Sequence, residues 1–407
     1  MKKLSPAGFL RTMHHASRAA IVLSAFLCSA LVHAQVATGY SWSQAAGTYT
    51  AVGATGSNAL FADNWDDNDV AVTIPWTFNY NGTGYTQIRV SSNGFIVFGG
   101  TLNNNNSGEA FVSGTDPSGL YLGGTGTNNG VAGFNADMDE RTYTTFTANR
   151  TSGSPTLTSA SSTANIKIGM RLSGTGIPNT AVITNIVGTT ITLSANATSG
   201  SNSSTTLTPR SSVVSVITGT APNRTAVFQW TRAARFGFTT GGSADDVTFQ
   251  IRLAEANGVA ANQAISVVYE TCSTGSTDAT KNPQVGIRST TSDFNSRTTA
   301  TDWTATTGGT TNTDRCVFRN TIAPPSGQTF TWSPVQCTGT PTAGSISGTS
   351  PICQGTGTTL TLSGQSTVGF GLSTAWFYGT VSGGPYGNSA GSGSSLATGN
   401  LSATRYY

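Results

Sequence analysis

Carboxylates dominate the chemistry open to this chain. Asp63, Asp66, Asp67 and Asp69 lie close together in one short run, interleaved with Asn64 and Asn68. Calcium takes about six to eight oxygens from carboxylates, amides and carbonyls, so such a run suits it. The spacing is not that of an EF-hand, which needs a glycine at the sixth loop position and a glutamate at the twelfth. The same residues also close Asx-turns in a solvated loop, and both readings stand. Asp137, Asp139 and Glu140 make a second acidic loop downstream.

Other chemistry is restricted by what the chain lacks. Its three histidines, His14, His15 and His33, all fall in the first 34 residues. Beyond them no side chain has an unperturbed pKa near neutrality. Ser-His-Asp and Cys-His catalysis are excluded there, as is a histidine-ligated zinc or copper site. Two lysines remain, Lys167 and Lys281, and four glutamates, Glu109, Glu140, Glu255 and Glu270. A glycosidase-type carboxylate pair is the one enzymatic class left open, and none of the four glutamates sits in a recognisable catalytic motif. The expectation is a protein that is not an enzyme, with no catalytic residues and no cofactor beyond calcium.

The start of the chain reads as an export signal. Lys2, Lys3, Arg11 and Arg18 precede an apolar stretch from Ala19 to Val32, and Val32-His33-Ala34 is a small-residue cleavage site ahead of Gln35. The leader carries four of the 20 basic residues and none of the 17 acidic ones, so the remainder has 16 basic and 17 acidic residues, a net charge of −1. A nucleic-acid binder would show a basic patch; none is present. After the leader no apolar run is long enough to span a bilayer. The expected location is secreted or at the cell surface, and the near-neutral surface suggests a monomer. Cys272, Cys316, Cys337 and Cys353 remain after the leader. An even count in an exported chain favours disulfides, with three pairings open.

The elements that must position these groups are strands. Val247 to Leu253 alternates apolar and polar residues without a break, and Ala226, Phe228 and Trp230 do the same, which is the period of a half-buried strand. Ile88 and Val90, followed by Phe95 to Phe98, suggest a hairpin turned at Asn93-Gly94. Ile265 to Tyr269 is another apolar strand. Charged residues make up only 9% of the chain and glycines number 49, a composition of short strands and turns rather than charged helices. Of the tryptophans, Trp42, Trp76, Trp230, Trp303 and Trp332 lie in strand patterns, while Trp65, inside the acidic loop, is the one best placed to stack on a sugar ring or pack at the rim.

The segment "IPWTFNYNGTGYTQIRVSSNGFIVFGG" (Ile74 to Gly100), with "GTAPNRTAVFQW", "VTFQIRLAE", "PQVGIR", "DFNSRTTATDW" and "PPSGQTFTW" following in order, resembles the N-terminal β-sandwich module of large secreted proteins of Bacteroidetes-type bacteria. The stretch "GMRLSGTGIP" (Gly169 to Pro178), inside "IKIGMRLSGTGIPNTAVITNIVGTTITLS", resembles a small β unit of phage tail and bacterial surface proteins. From about Cys337 the chain resembles the immunoglobulin-like repeats that follow such modules, with Trp376 in a strand-like "STAWFYG".

Together these imply an all-β protein. Its parts are a signal peptide (1–34), a jelly-roll-like β-sandwich module (35–334), an inserted small β domain (151–210) within it, and a partial immunoglobulin-like domain (335–407). The implied role is non-catalytic adhesion or scaffolding, with export by a type IX kind of route. A carbohydrate-binding module, calcium-assisted at Asp63, Asp66, Asp67 and Asp69, is the alternative, and an extracellular glycan or protein the implied partner. The immunoglobulin-like reading leaves Cys353 without its mate, which would pair Cys272 with Cys316 in the first module; a local Cys337–Cys353 bridge is the rival.

Overall fold

The computed structural model describes residues 36–53, 58–99, 129–239, 244–256, 262–277, 281–290, 292–335, 342–365 and 374–407. Cys28, Glu109 and Cys337 lie outside them. A single helical turn, α1 (Val36–Gly39), leads into β1 (Tyr40–Ala46), β2 (Asp69–Tyr80), β3 (Thr83–Ser91), β4 (Phe95–Phe98), β5 (Gly130–Asn135) and β6 (Met138–Asp139). A second group follows: β7 (Phe146–Arg150), β8 (Thr156–Thr158), β9 (Arg171–Ser173), β10 (Ile183–Val187), β11 (Thr190–Leu193) and β12 (Asn202–Arg210). The chain then makes β13 (Ser212–Thr218), β14 (Thr225–Arg235), β15 (Val247–Ala254), β16 (Ile265–Tyr269), β17 (Gln284–Thr290), β18 (Asp293–Thr298), β19 (Thr307–Gly308) and β20 (Gln328–Pro334). Five short strands close the chain, β21 (Ser345–Ser347), β22 (Thr359–Ser363), β23 (Ala375–Tyr378), β24 (Asn388–Ser392) and β25 (Ser395–Ala397).

Two antiparallel sheets form the sandwich. One runs β1-β20-β16-β15-β14-β13, with β6 added on β14, and the other runs β19-β18-β17-β5-β4-β3-β2. Alternation decides which side chains meet between them. Phe249, Ile251 and Leu253 of β15 and Phe228 and Trp230 of β14 point inward to a core shared with Ile88, Val90, Ile96 and Val131 of the facing sheet. Aromatic rings pack along and across the layers, with Phe134 of β5 meeting Phe249 of the facing sheet at 6.1 Å. Trp230 stacks on Phe249 with centroids 4.7 Å apart, and Phe134 meets Phe318 edge-on at 5.0 Å, geometries that add about 0.5–1.5 kcal/mol each beyond burial. Trp303, expected in a strand, sits in a 3₁₀ turn, because the Asp302 carboxylate caps Thr304 N and turns the chain; it is buried all the same.

The sandwich is closed by its own ends. β1 pairs along its whole length with β20, from Tyr40 opposite Pro334 to Ala46 opposite Gln328. The chain leaves the sandwich after β6 and re-enters at β13, and the two crossing points touch: Ser211 N donates to Arg141 O and Arg141 N to Ser211 Oγ, each at 2.9 Å. Between them β7 to β12 make a six-stranded sheet in the order β10-β11-β8-β7-β12-β9. It has its own core, including Leu157, Met170, Leu172, Ile183, Ile191 and Leu207. This sheet begins at Phe146, ahead of the expected boundary at Thr151, because Phe146 and Ala148 alternate into that core. Near the C-terminus, β21-β22-β25 and β23-β24 are small sheets around Leu360, Trp376 and Leu396.

Candidate cation site

The two acidic loops meet at one end of the sandwich. The first enters β2, which pairs with β3 so that Asp69 stands opposite Ser91. β3 turns into β4 through Ser92-Asn93-Gly94, and β4 pairs with β5, which leads to the second acidic loop. The turn does the joining. Ser92 N donates to Asn68 O at 2.7 Å, and Asn68 N donates to Ser92 Oγ at 2.8 Å. The wholly buried Asn93 amide then donates from Nδ2 to Asp67 Oδ1 (2.9 Å) and accepts from Met138 N through Oδ1 (2.8 Å). Gly94 has φ +80° and presses against the Phe134 carbonyl, so a Cβ there has no room. The Ser-Ser-Asn-Gly run thus works as a clasp between the two loops.

Asp66, Asp67 and Asp137 form one cluster, with a carboxylate oxygen of each within 4.8 Å of the others. Asp139 lies beside Asp66. Asp137 is only 9% exposed, and its carboxylate receives no hydrogen bond among the described residues. Burial, then the charges of Asp67 and Asp66, push Asp137 up to about 7, against a pull downward from Lys281. Burial and the neighbouring Asp66 push Asp139 up to about 8. Asp67 is also raised, by burial, although the Asn93 hydrogen bond works the other way. Such a site favours a shared proton or a cation. Oxygens about 2.3–2.6 Å from one calcium ion lie at most about 5 Å apart, and the cluster meets that limit.

Of the four aspartates expected to bind calcium, two face elsewhere. Asp69 is ion-paired with Arg89. Asp63 is ion-paired with Arg171 and lies 3.5 Å from Arg210 Nε. Neither carboxylate joins Asp66 and Asp67, because arginines from other strands reach each one first; Asp137 from the second acidic loop joins them instead. Glu140 completes the arginine network. It pairs with the fully buried Arg171, and with Arg210 at 2.6 Å. Its backbone N donates to Trp65 O at 3.0 Å, and its Oε2 accepts from Asn64 N at 2.8 Å. Arg171 opens β9 within the Gly169–Pro178 segment and Arg210 ends β12, so the β7–β12 sheet holds both acidic loops in register. Trp65 is buried, 2% exposed and 6.4 Å from Phe61. It carries the loop on the core, so it is no sugar platform.

The expected bridge between Cys272 and Cys316 is not formed. Both are buried free thiols: Cys272 Sγ faces Thr248 O and Cys316 Sγ faces Arg297 O, each at 3.5 Å. The carbonyls they face belong to strands of different sheets, which holds the two sulfurs to separate partners. Burial pushes the Cys272 thiol far above its usual range and Cys316 up to about 12. Cys353 is free and exposed.

The chain belongs to the NIDO-related family, an extracellular-type domain family, which matches residues 39–139 and 112–334. No curated protein and no solved structure matches it. Among the described residues no helix is long and apolar enough to cross a membrane. Asn93, Asp137, Arg171 and Arg210 carry the site beyond what its local sequence announces. The signals that point to them are the Ser-Ser-Asn-Gly turn, the second acidic loop and the arginine within Gly169–Pro178.

Proposed function

We propose that this is a non-catalytic, secreted or cell-surface adhesion or scaffolding protein whose rim is fixed by calcium at Asp66, Asp67, Asp137 and Asp139. One observation supports the non-catalytic reading: the three glutamates among the described residues are each held in an ion pair of the fold. Glu140 pairs with Arg171 and Arg210, Glu255 with Arg224 at 2.7 Å, and Glu270 with Lys167 at 3.0 Å. Calcium in place of protons would relieve the repulsion at the rim and stiffen the loops that a partner meets. The family match supports an extracellular setting. We infer export by cleavage after Ala34, through a type IX kind of route in a Bacteroidetes-type bacterium. Release of reducing ends from a polysaccharide panel tests the reading. None is expected, and turnover that disappears in Glu140→Gln or Glu255→Gln would overturn it. A carbohydrate-binding module is the second reading, favoured by a groove on the outer face of the first sheet.

A further inference from the structure

Strand register assembles a row of unpartnered polar groups on that outer face. Arg252 stands opposite Ser266, and Ser266 opposite Thr331, across β15, β16 and β20. Their neighbours Ile251, Leu253, Ile265, Val267, Phe330 and Trp332 alternate into the core, so these three side chains point outward. The segment after β1 crosses the face beside them. Gly47 N donates to Gly327 O (2.7 Å), Gln250 Nε2 donates to Thr50 O (2.8 Å), and Val52 N donates to Gln229 Oε1 (2.9 Å). That crossing segment makes a wall. The result is a groove of about 430 Å³, lined by Gly47, Thr48, Thr225, Arg252, Ser266 and Thr331 among others, within the usual size of a small-ligand site.

Within the groove, Arg252 spends only Nε, on Gln250 Oε1 at 2.7 Å. Among the described residues its two terminal nitrogens have no partner and it makes no ion pair. The hydroxyls of Thr225, Ser266 and Thr331 likewise make no hydrogen bond there. Six other arginines are committed to ion pairs: Arg89, Arg171, Arg210, Arg224, Arg232 and Arg235 each hold a carboxylate. An intermediate-exposure guanidinium with its planar fork free is built for a bidentate anion. Burial also lowers the Arg252 pKa, the mark of a partly desolvated cation that gains from a counter-charge. The hydroxyl row continues away from it at about 4.8 Å per strand, giving a polar strip about 10 Å long. Hydroxyls that both donate and accept match sugar hydroxyls better than the amides and aliphatic side chains of a peptide.

We propose that this groove binds an acidic saccharide, its carboxylate or sulfate on the Arg252 fork and its hydroxyls on Ser266, Thr331 and Thr225. The proposal deepens the second reading above. Its failure would leave the calcium rim and the non-catalytic reading untouched, since those rest on other residues.

Calorimetric titration of the full chain tests it. The probes are a galacturonic acid tetramer, its neutral methyl ester, a sulfated galactose tetramer and an aspartate tetrapeptide. Saturable binding of either acidic sugar, weakened by at least about tenfold in Arg252→Gln, is the expected result, and the sugar that binds identifies the anion. Ser266→Leu, which fills the groove and leaves the charge in place, should weaken binding as well, and matched melting temperatures show that both variants fold. Equal binding of the ester or the peptide, no saturable binding of either acidic sugar, or affinity unchanged in folded Arg252→Gln and Ser266→Leu would each overturn the proposal.

Discussion

Replacing Asp137 by Asn should stabilise the calcium-free protein at alkaline pH, which inverts the usual cost of altering a buried residue. The folded state lifts this carboxylate from 3.8 to about 7. A carboxylate so raised keeps its proton in the folded state while the unfolded chain has released it, so stability is fully present below 3.8 and lost as pH rises through 7. At full strength the shift amounts to about 4 kcal/mol. Solvent reaching the loop beside the exposed Asp66 screens it to about 2 kcal/mol. Asparagine keeps the shape and removes the charge. For a domain of this size, about 2–4 °C per kcal/mol, Asp137→Asn should melt about 4–8 °C above wild type at pH 8.5 with chelator, and within a degree or so of it at pH 4. Calcium should reverse the order. An excess of about 100-fold over Kd adds about 2.7 kcal/mol to wild type through linkage and little to the variant. Thermal unfolding by circular dichroism across pH, with chelator or with calcium, reads all of this. A variant that melts below wild type at pH 8.5 in chelator, or gains as much from calcium, would refute the reasoning.

The other expectations concern what holds the rim and the sandwich together. Arg171→Ala leaves the buried Glu140 with Arg210 as its one ionic partner and should cost about 3 kcal/mol, seen as a lower urea midpoint; an unchanged midpoint would show that the network contributes nothing. Cys272 and Cys316 should resist alkylation in the native protein and both react after unfolding without reductant, and a Cys272–Cys316 peptide in the mass map would contradict the two separate thiols. Deleting residues 142–210 and linking Arg141 to Ser211, whose backbones already touch, should leave a host that unfolds cooperatively at a lower temperature. The loss comes first from Arg171 and Arg210, whose removal leaves Glu140 and Asp63 without their cations, and then from the Lys167–Glu270 pair and the Arg232–Asn165 contact, and a non-cooperative melt would place the removed sheet within the host core.

The strands that build the core were legible because their information is local. Phe249, Ile251 and Leu253 alternate with Gln250 and Arg252, and period two suffices to place them. The Asn93-Gly94 turn was legible for the same reason, since positive φ has few residue solutions. The candidate site was only half legible. Asp66 and Asp67 share a loop, but Asp137 reaches them through the pairing order β2-β3-β4-β5, which no local pattern encodes. Asp63 and Asp69 resemble their neighbours in sequence and differ from them only in which arginine arrives from elsewhere. Trp65 misleads in the opposite way: its polar neighbours suggest exposure, but the loop folds it under, near Phe61. Arg171 opens β9 inside a glycine-rich segment whose pattern describes that segment alone, and the carboxylates it holds belong to the sandwich.

The most direct measurement is a calorimetric titration of the full chain with calcium at pH 7.5. One site per chain is expected, absent in Asp66→Asn/Asp67→Asn and retained in Asp69→Asn, whose carboxylate is taken by Arg89. No binding heat in the wild type, or binding that survives the double substitution, would contradict a rim built around calcium.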